Sequence, residues 1–149
     1  MQTIIRDILI KTRVDRVFDF LVDPNNLPEV WPNFIEVKNV KKSKTNQGLN
    51  FNWAYKMAGM RFEGKFETVE YIPYELLVIK SNQALESTIT WRFQPGGHET
   101  HLLLKIEYEI PASLKNRMKE EIIIQENEHE ADAMLQNVKT RLELEVAYA

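Results

Sequence analysis

The chain has 149 residues, of which 44% are hydrophobic and 28% charged, a balance typical of a globular protein that buries its own core. Its formal net charge of −3 argues against nucleic-acid binding, which usually needs a basic surface. The lack of cysteine excludes disulfides and thiolate chemistry and fits a reducing cytoplasm. Arg6 and Asp7 interrupt the N-terminal apolar stretch, and no run is long enough for a membrane span. We therefore expect one cytoplasmic domain, residues 1–149, without a nucleic-acid partner or stable membrane insertion.

The first third of the chain predicts a strand followed by two short helices. Residues 2–11 alternate loosely between apolar and polar side chains, which favours a strand. Apolar residues then recur at helical spacing over residues 13–22, and Thr12 stands where an N-cap is expected. Asp23-Pro24 ends that helix and is typical of the start of a second short one, with proline in its first turn.

The middle of the chain switches to a period of two, which is typical of strands with one apolar face. The clearest alternation follows residue 48, and Ala58-Gly59 predicts a tight turn after it. A change of phase near Thr68 predicts a β-bulge. With the first strand, these patterns predict a sheet of about seven strands, the later ones spanning residues 35–43, 49–57, 60–71, 76–79, 85–93 and 102–110.

The C-terminal region, residues 113–147, contains neither glycine nor proline and predicts one long helix. Its apolar stripe consists of Ile124, Ala131, Met134, Leu135, Val138, Leu142 and Val146. Strands with one apolar face need a cover, and this helix is the available one. We therefore predict an α+β fold in which a curved antiparallel sheet wraps around the long C-terminal helix.

This order of elements, together with the stretch TRVDRVFDFLVDPNNLPEVWPNFIEV, resembles the START-like helix-grip (SRPBCC) superfamily. The resemblance is greatest to its polyketide cyclase/dehydrase and lipid-transport family and covers essentially the whole chain. Val17 to Leu21 match the first helix of the family, and Trp31-Pro32 leads into its second strand. Arg13 replaces a proline that members often carry there. The resemblance implies a helix-grip fold and a cavity between sheet and last helix for lipids, polyketides or aromatic compounds.

The inward faces of the strands and the last helix supply the candidate ligand-binding residues. The apolar stripe of the helix turns polar in its N-terminal half, where Glu120 and Asn127 share the side of Ile124. Such groups facing an apolar sheet favour a wet or ligand-filled cavity of about 300–1,000 Å³ over an ordinary packed core. The candidates are Trp53, Tyr55, Met57, Phe62, Phe66, Trp91, Leu102, Leu104, Tyr108, Glu120, Ile124, Asn127, Glu128 and Ala131.

The sequence supplies no motif for a cofactor, and we predict neither a cofactor nor a metal site. His98 and His101 are three residues apart in a strand region, which places them on opposite faces. No serine has a base at a telling spacing, so no catalytic residue is assigned. A cyclase could still use a tyrosine and a carboxylate, and the candidates for that chemistry are Tyr55, Tyr71, Tyr108, Glu120 and Glu128.

Three functions remain open at this point. The aromatic inner face favours a carrier or binding protein for a hydrophobic small molecule. The family resemblance also allows a cyclase or dehydratase. A protein-interaction module, as among co-chaperone and ribosome-associated members, would need an exposed apolar patch, for which Met118 and Ile122 are the candidates. Nothing in the sequence supports a homodimer, although a sheet edge or a helix could form one.

Overall fold

A computed structural model describes residues 1–147, except for the side chains of residues 146 and 147. The chain begins with strand β1 (Gln2–Ile10). Helix α1 (Val14–Val22), a 3-10 turn (Pro24–Asn26) and helix α2 (Leu27–Val30) follow. The Asp23 carboxylate accepts a hydrogen bond from the Asn25 amide at 3.0 Å, as a cap should. The predicted Thr12 cap is wrong. Helix α1 begins one residue later than predicted, so Thr12 precedes the cap position, and its buried hydroxyl has no partner among the described residues.

Six further strands complete a seven-stranded sheet in the order β1-β7-β6-β5-β4-β3-β2. Consecutive strands from β2 to β7 form antiparallel hairpins, and β1 pairs with β7 from Gln2 opposite Tyr108 to Ile10 opposite Thr100. The predicted start of a strand at Leu85 is wrong, because β6 begins two residues later, at Ser87. The strands are β2 (Phe34–Lys42), β3 (Leu49–Met57), β4 (Met60–Ile72), β5 (Leu76–Ser81), β6 (Ser87–Gly96) and β7 (Glu99–Tyr108).

Two predicted local features of the sheet, a tight turn and a β-bulge, lie where expected. Ala58 and Gly59 have φ values of +50° and +78°, so both adopt the left-handed conformation of a tight hairpin turn between β3 and β4. The register between β4 and β5 shifts between Thr68 and Glu70, which confirms the predicted bulge. A bulge increases the local twist and lets the sheet curl around its cover.

The C-terminal cover consists of the short helix α3 (Ala112–Lys115) and the long helix α4 (Glu120–Ala147). The prediction of one helix from residue 113 is therefore wrong at its start. The chain leaves helical geometry at residues 116–119, where the Met118 side chain packs against the core. The buried face near the start of α4 also differs from the predicted one by one residue. Ile123 is fully buried there, whereas the predicted Ile124 is partly exposed. Within residues 1–147, no helix is long and apolar enough to cross a membrane.

Helix α4 is fixed on both flanks by polar contacts. On one side, Lys139 donates to the Leu9 carbonyl at 2.7 Å, and the Glu143 carboxylate accepts from the Lys11 amide at 3.0 Å. On the other side, Asn137 donates to the Val30 carbonyl at 2.9 Å. The helix therefore ties the free edge of β1 to α2, and its inner face, residues 123–142, closes the concave side of the sheet.

Candidate functional site

A cavity of about 60 Å³ lies between the sheet and the middle of α4. Its walls are mainly aromatic and aliphatic, with a few polar side chains from β6, β7 and α4. The lining residues are Ile4, Trp31, Phe34, Trp53, Tyr55, Met57, Phe66, Leu85, Ser87, Ile89, Ile106, Tyr108, Asn127, Glu130 and Ala131. The volume is well below the predicted range of about 300–1,000 Å³ because bulky aromatic rings occupy most of the interior.

The Glu130 carboxyl is the main charged group in the cavity wall. It is only 6% exposed, yet both of its oxygens have donors. The Tyr55 hydroxyl donates to Oε1 at 2.5 Å, and the Asn33 amide donates to Oε2 at 2.7 Å. These two bonds satisfy a carboxyl whose burial would otherwise be costly.

Burial governs the titration of this pair. Burial raises the pKa of the Glu130 carboxyl above its ordinary value, and the hydrogen bonds from Tyr55 and Asn33 offset part of that rise. Burial, followed by the charge of Glu130, raises the pKa of the Tyr55 hydroxyl well above its ordinary value. Tyr55 therefore keeps its proton and remains a donor, while Glu130 takes up a proton more readily than an exposed glutamate.

The Tyr55 ring is held in place by aromatic packing. Its centroid lies 6.2 Å from that of Trp31 and 6.1 Å from that of Phe34, and both neighbours are nearly perpendicular to it. Edge-to-face contacts of this kind are favourable because ring edges are positive and ring faces negative. The segment between α2 and β2 thus supplies both the packing for Tyr55 and, through Asn33, the second donor for Glu130.

Trp53 forms another fixed wall of the cavity. Its indole nitrogen donates to the Ser81 hydroxyl at 3.3 Å. The ring lies directly over Gly64 on β4, where a Cβ would come within 2.5 Å of the indole Cζ2. Glycine is required at that position because any side chain would push Trp53 out of its place.

Two polar groups of the wall have no hydrogen-bond partner among the described residues. They are the hydroxyl of Tyr108, a residue that is 4% exposed, and the amide nitrogen of Asn127. Burial raises the pKa of Tyr108, and the Asn127 side chain, which lies close to the hydroxyl but outside hydrogen-bond geometry, offsets part of the rise. Each unpaired buried group costs about 1–3 kcal/mol in a dry core, so both are available to hydrogen-bond a molecule in the cavity.

Comparison with known proteins identifies the family. The family model described as polyketide cyclase / dehydrase and lipid transport matches residues 1–143. The chain belongs to this family. No curated protein matches it. Membership supports a ligand-binding or cyclase role.

Solved structures of other proteins share the fold. The Zhui aromatase/cyclase from Streptomyces sp. R1128 superposes with a TM-score of 0.78 at 14% identity, covering 97% of this chain and 95% of that one. TTHA0849 from Thermus thermophilus gives 0.74 at 16% identity, covering 96% and 98%. A START superfamily protein from Mycobacterium smegmatis gives 0.73 at 9% identity, covering 94% and 98%. The predicted START-like helix-grip fold is therefore confirmed.

Within this family fold, the structure places part of the predicted residue set around the cavity. The candidates that line it are Trp53, Tyr55, Met57, Phe66, Tyr108, Asn127 and Ala131. They come from β3, β4, β7 and α4, so elements far apart in sequence converge on one space. Their part in binding a ligand remains a prediction.

The other apolar candidates do not line the cavity. Trp91 is fully buried beside a second, much smaller cavity of about 10 Å³ next to Leu21 and Leu27. Leu102 and Leu104 are fully buried in the core, and Phe62 and Ile124 are only partly buried against it. Trp91, Leu102 and Leu104 do not reach the cavity because of their positions along β6 and β7. Helix α1 packs against β6 and β7, as the contact of Phe18 with Phe93 at 5.1 Å shows, and covers a part of the sheet away from the cavity.

The predicted acidic residues of α4 also lie outside the cavity. Glu120 is exposed in the first turn of α4 and pairs with Lys115 at 3.4 Å. Glu128 is partly exposed and lies 3.8 Å from Arg6. Helical periodicity placed Glu120 on the correct side, but the first turn of the helix is too far along its axis to reach the cavity.

Several cavity residues were missed by sequence reasoning. Trp31 precedes β2 and Phe34 is its first residue, and the proline-rich sequence around them has no regular period that could reveal an inward direction. Glu130 precedes Ala131 on the predicted stripe and lies three residues after Asn127, so its helical position carried a usable signal. The remaining missed residues are Ile4, Leu85, Ser87 and Ile89.

The residues considered for the other functions are separated by the structure. Tyr71 lies outside the cavity and packs edge-on against Phe18 at 5.4 Å. Met118 is partly buried against the core, whereas Ile122 is 43% exposed. A partner surface around these two residues remains a prediction.

Proposed function

We propose that the protein binds a hydrophobic small molecule, with aromatic character, in the cavity between the sheet and α4. The observation that carries this proposal is the wall itself: aromatic, apolar and yet retaining the unpaired Tyr108 hydroxyl and Asn127 amide. A core selected only for stability gains nothing from such groups, since each costs about 1–3 kcal/mol. A bound molecule with one polar atom would satisfy them. A cytoplasmic location remains part of this proposal.

The small volume means that a ligand larger than a few water molecules must displace side chains. Met57 is the most adaptable lining residue because its unbranched thioether chain has three rotatable bonds. Leu85 lies in the segment between β5 and β6, next to Ala84, whose φ of +59° is strained for alanine. Movement of this segment together with Met57 would enlarge the cavity without disturbing the sheet.

The test is recovery of a ligand and a thermal shift. Native mass spectrometry of purified protein should show a bound apolar compound, and a panel of lipids and aromatic compounds should raise Tm. At a concentration of 100 Kd, binding stabilises by about 2.7 kcal/mol, which corresponds to roughly 5–11 °C.

A matched pair of variants makes this test specific to the cavity. Ala131→Leu fills space at the wall and should abolish the shift, whereas Ala112→Leu adds the same atoms at an exposed position and should leave it unchanged. If the unmodified protein yields no bound compound and shows no thermal shift with any member of the panel, the proposal is refuted.

A second candidate, a cyclase or dehydratase, is favoured by one observation. Glu130 is a buried carboxyl at the cavity wall with a raised pKa, which suits a general base acting on a carbon next to a carbonyl. In that role the carboxylate would take a proton from the α-carbon, and solvent would later return one.

Proton exchange measures this chemistry directly. In D2O, the protein should accelerate deuterium incorporation into the methyl group of acetophenone, read by NMR, and Glu130→Gln should lower that rate by about 10²–10⁴-fold. Exchange no faster than in buffer would rule out this second function and leave the binding proposal intact.

A further inference from the structure

The polar end of the cavity offers hydrogen-bond donors. The Tyr108 hydroxyl and the Asn127 amide nitrogen are both buried in the wall, and neither has a partner among the described residues. Tyr108 is the last residue of β7, opposite Gln2 on β1 and Ser87 on β6, so three paired strands fix its position. Asn127 approaches from α4. A ligand oxygen that reaches both groups would therefore meet donors from two rigid elements.

The same end of the cavity offers no positive charge. Among the described residues that line it there is neither lysine nor arginine. The charged side chain present is Glu130, and its two oxygens are already occupied by Tyr55 and Asn33. A carboxylate or phosphate entering this space would lose its hydration, find no cation and lie near another acidic group. Burial of an unpaired ion is far more costly than burial of a neutral oxygen.

We infer that Tyr108 and Asn127 determine specificity, selecting a neutral apolar ligand that carries a hydrogen-bond-accepting oxygen and excluding carboxylates and phosphates. This inference rests on the proposed binding function and narrows its ligand class. Ketones, quinones and uncharged sterol-like or polycyclic compounds satisfy the chemistry. Free fatty acids and phospholipids with their head groups in the cavity do not.

Three probes of similar shape separate the contributions. Ethylbenzene is apolar, acetophenone adds one accepting oxygen, and benzoate replaces it with a charge. Protein-observed NMR titrations give the Kd of each, with the indole N–H signal of Trp53 reporting occupancy of the cavity. Acetophenone should bind at least tenfold more tightly than benzoate.

The variants assign that preference to individual donors. Tyr108→Phe and Asn127→Leu should each shift the preference between acetophenone and ethylbenzene by about two- to tenfold towards ethylbenzene, the value of one neutral hydrogen bond. Tyr71→Phe removes a hydroxyl outside the cavity and should leave the ratio unchanged. Tyr108→Phe should fold at least as stably as the original protein because it removes an unpaired buried group.

The outcomes distinguish this inference from the binding proposal. The inference is overturned if benzoate binds as tightly as acetophenone, or if neither variant changes the ratio of the Kd values for acetophenone and ethylbenzene. Binding of ethylbenzene would in that case still support a hydrophobic site. Failure of both neutral probes to bind would overturn both.

Discussion

The hydrogen bond from Tyr55 to Glu130 allows the cavity wall to be tested through its stability. Tyr55→Phe removes the hydroxyl but keeps the ring between Trp31 and Phe34. Glu130 is 6% exposed and would keep the Asn33 amide as a donor but lose the one on Oε1. Because a hydrogen bond to a charged group contributes about 1.5–3 kcal/mol, we expect the free energy of unfolding to fall by that amount.

Urea titration followed by circular dichroism measures this loss. With a slope of about 2 kcal/mol per molar urea, the midpoint should fall by about 0.8–1.5 M. Tm should fall by roughly 3–12 °C. Tyr71→Phe, the same chemical change outside the cavity, serves as the control and should cost less than about 0.5 kcal/mol.

The double-mutant cycle with Glu130→Gln decides whether the pairing is responsible. A glutamine can accept from Asn33 and donate to the Tyr55 hydroxyl, since a hydroxyl both donates and accepts. Glu130→Gln should therefore change stability little, and Tyr55→Phe in that background should cost only about 0.5–1.5 kcal/mol. A loss below about 0.5 kcal/mol for Tyr55→Phe alone, or equal losses in both backgrounds, would refute the assigned bond.

Four further predictions concern pH, packing, turn and cap. The folded protein holds the Glu130 proton more tightly than the unfolded chain does. The free energy of unfolding should therefore fall as pH rises from about 4.3 through the raised pKa of Glu130, and urea titrations measure this fall. The variant Glu130→Gln should lack this contribution. Gly64→Ala forces a Cβ to within 2.5 Å of Trp53 and should cost about 1–3 kcal/mol in the same assay; unchanged stability would contradict the packing. Ala58→Asn should raise the free energy of unfolding by about 0.5–1 kcal/mol, since asparagine tolerates the φ of +50° better than alanine does; a loss would refute this turn geometry. Asp23→Ala removes the cap on the Asn25 amide and should lower Tm by roughly 2–4 °C, corresponding to about 1 kcal/mol; an unchanged Tm would show that the cap contributes nothing.

The fold could be predicted because its signals are local. Alternation along β3, the left-handed turn at Ala58-Gly59 and the phase change near Thr68 each follow from a few neighbouring residues. The break before α4 could not be predicted in this way. Residues 116–119 contain no glycine or proline, and helical geometry is interrupted where Met118 packs into the core, a contact that depends on the whole fold.

The site could be predicted only in part because periodicity identifies a face and not a place on it. Ile89 and Trp91 are two residues apart on one face of β6, about 6.6 Å along the strand. Ile89 lines the cavity, whereas Trp91 lies beyond it, at the second cavity next to Leu21. The arrangement of Tyr55, Asn33 and Glu130 was equally inaccessible, since Asn33 belongs to an irregular segment whose course only the tertiary structure fixes.

The pairing of β1 with β7 has a consequence for synthesis of the protein. Gln2 pairs with Tyr108, so β1 has no strand partner until β7 (Glu99–Tyr108) has been synthesised, and the bond from the Lys11 amide to Glu143 forms later still. At about 5–20 residues per second, the nascent N-terminus waits roughly 5–20 s for β7 to emerge. The hairpins from β2 to β7 can form in order during that time, whereas the cavity, which needs Ile4 and α4, can be completed only once α4 has been synthesised.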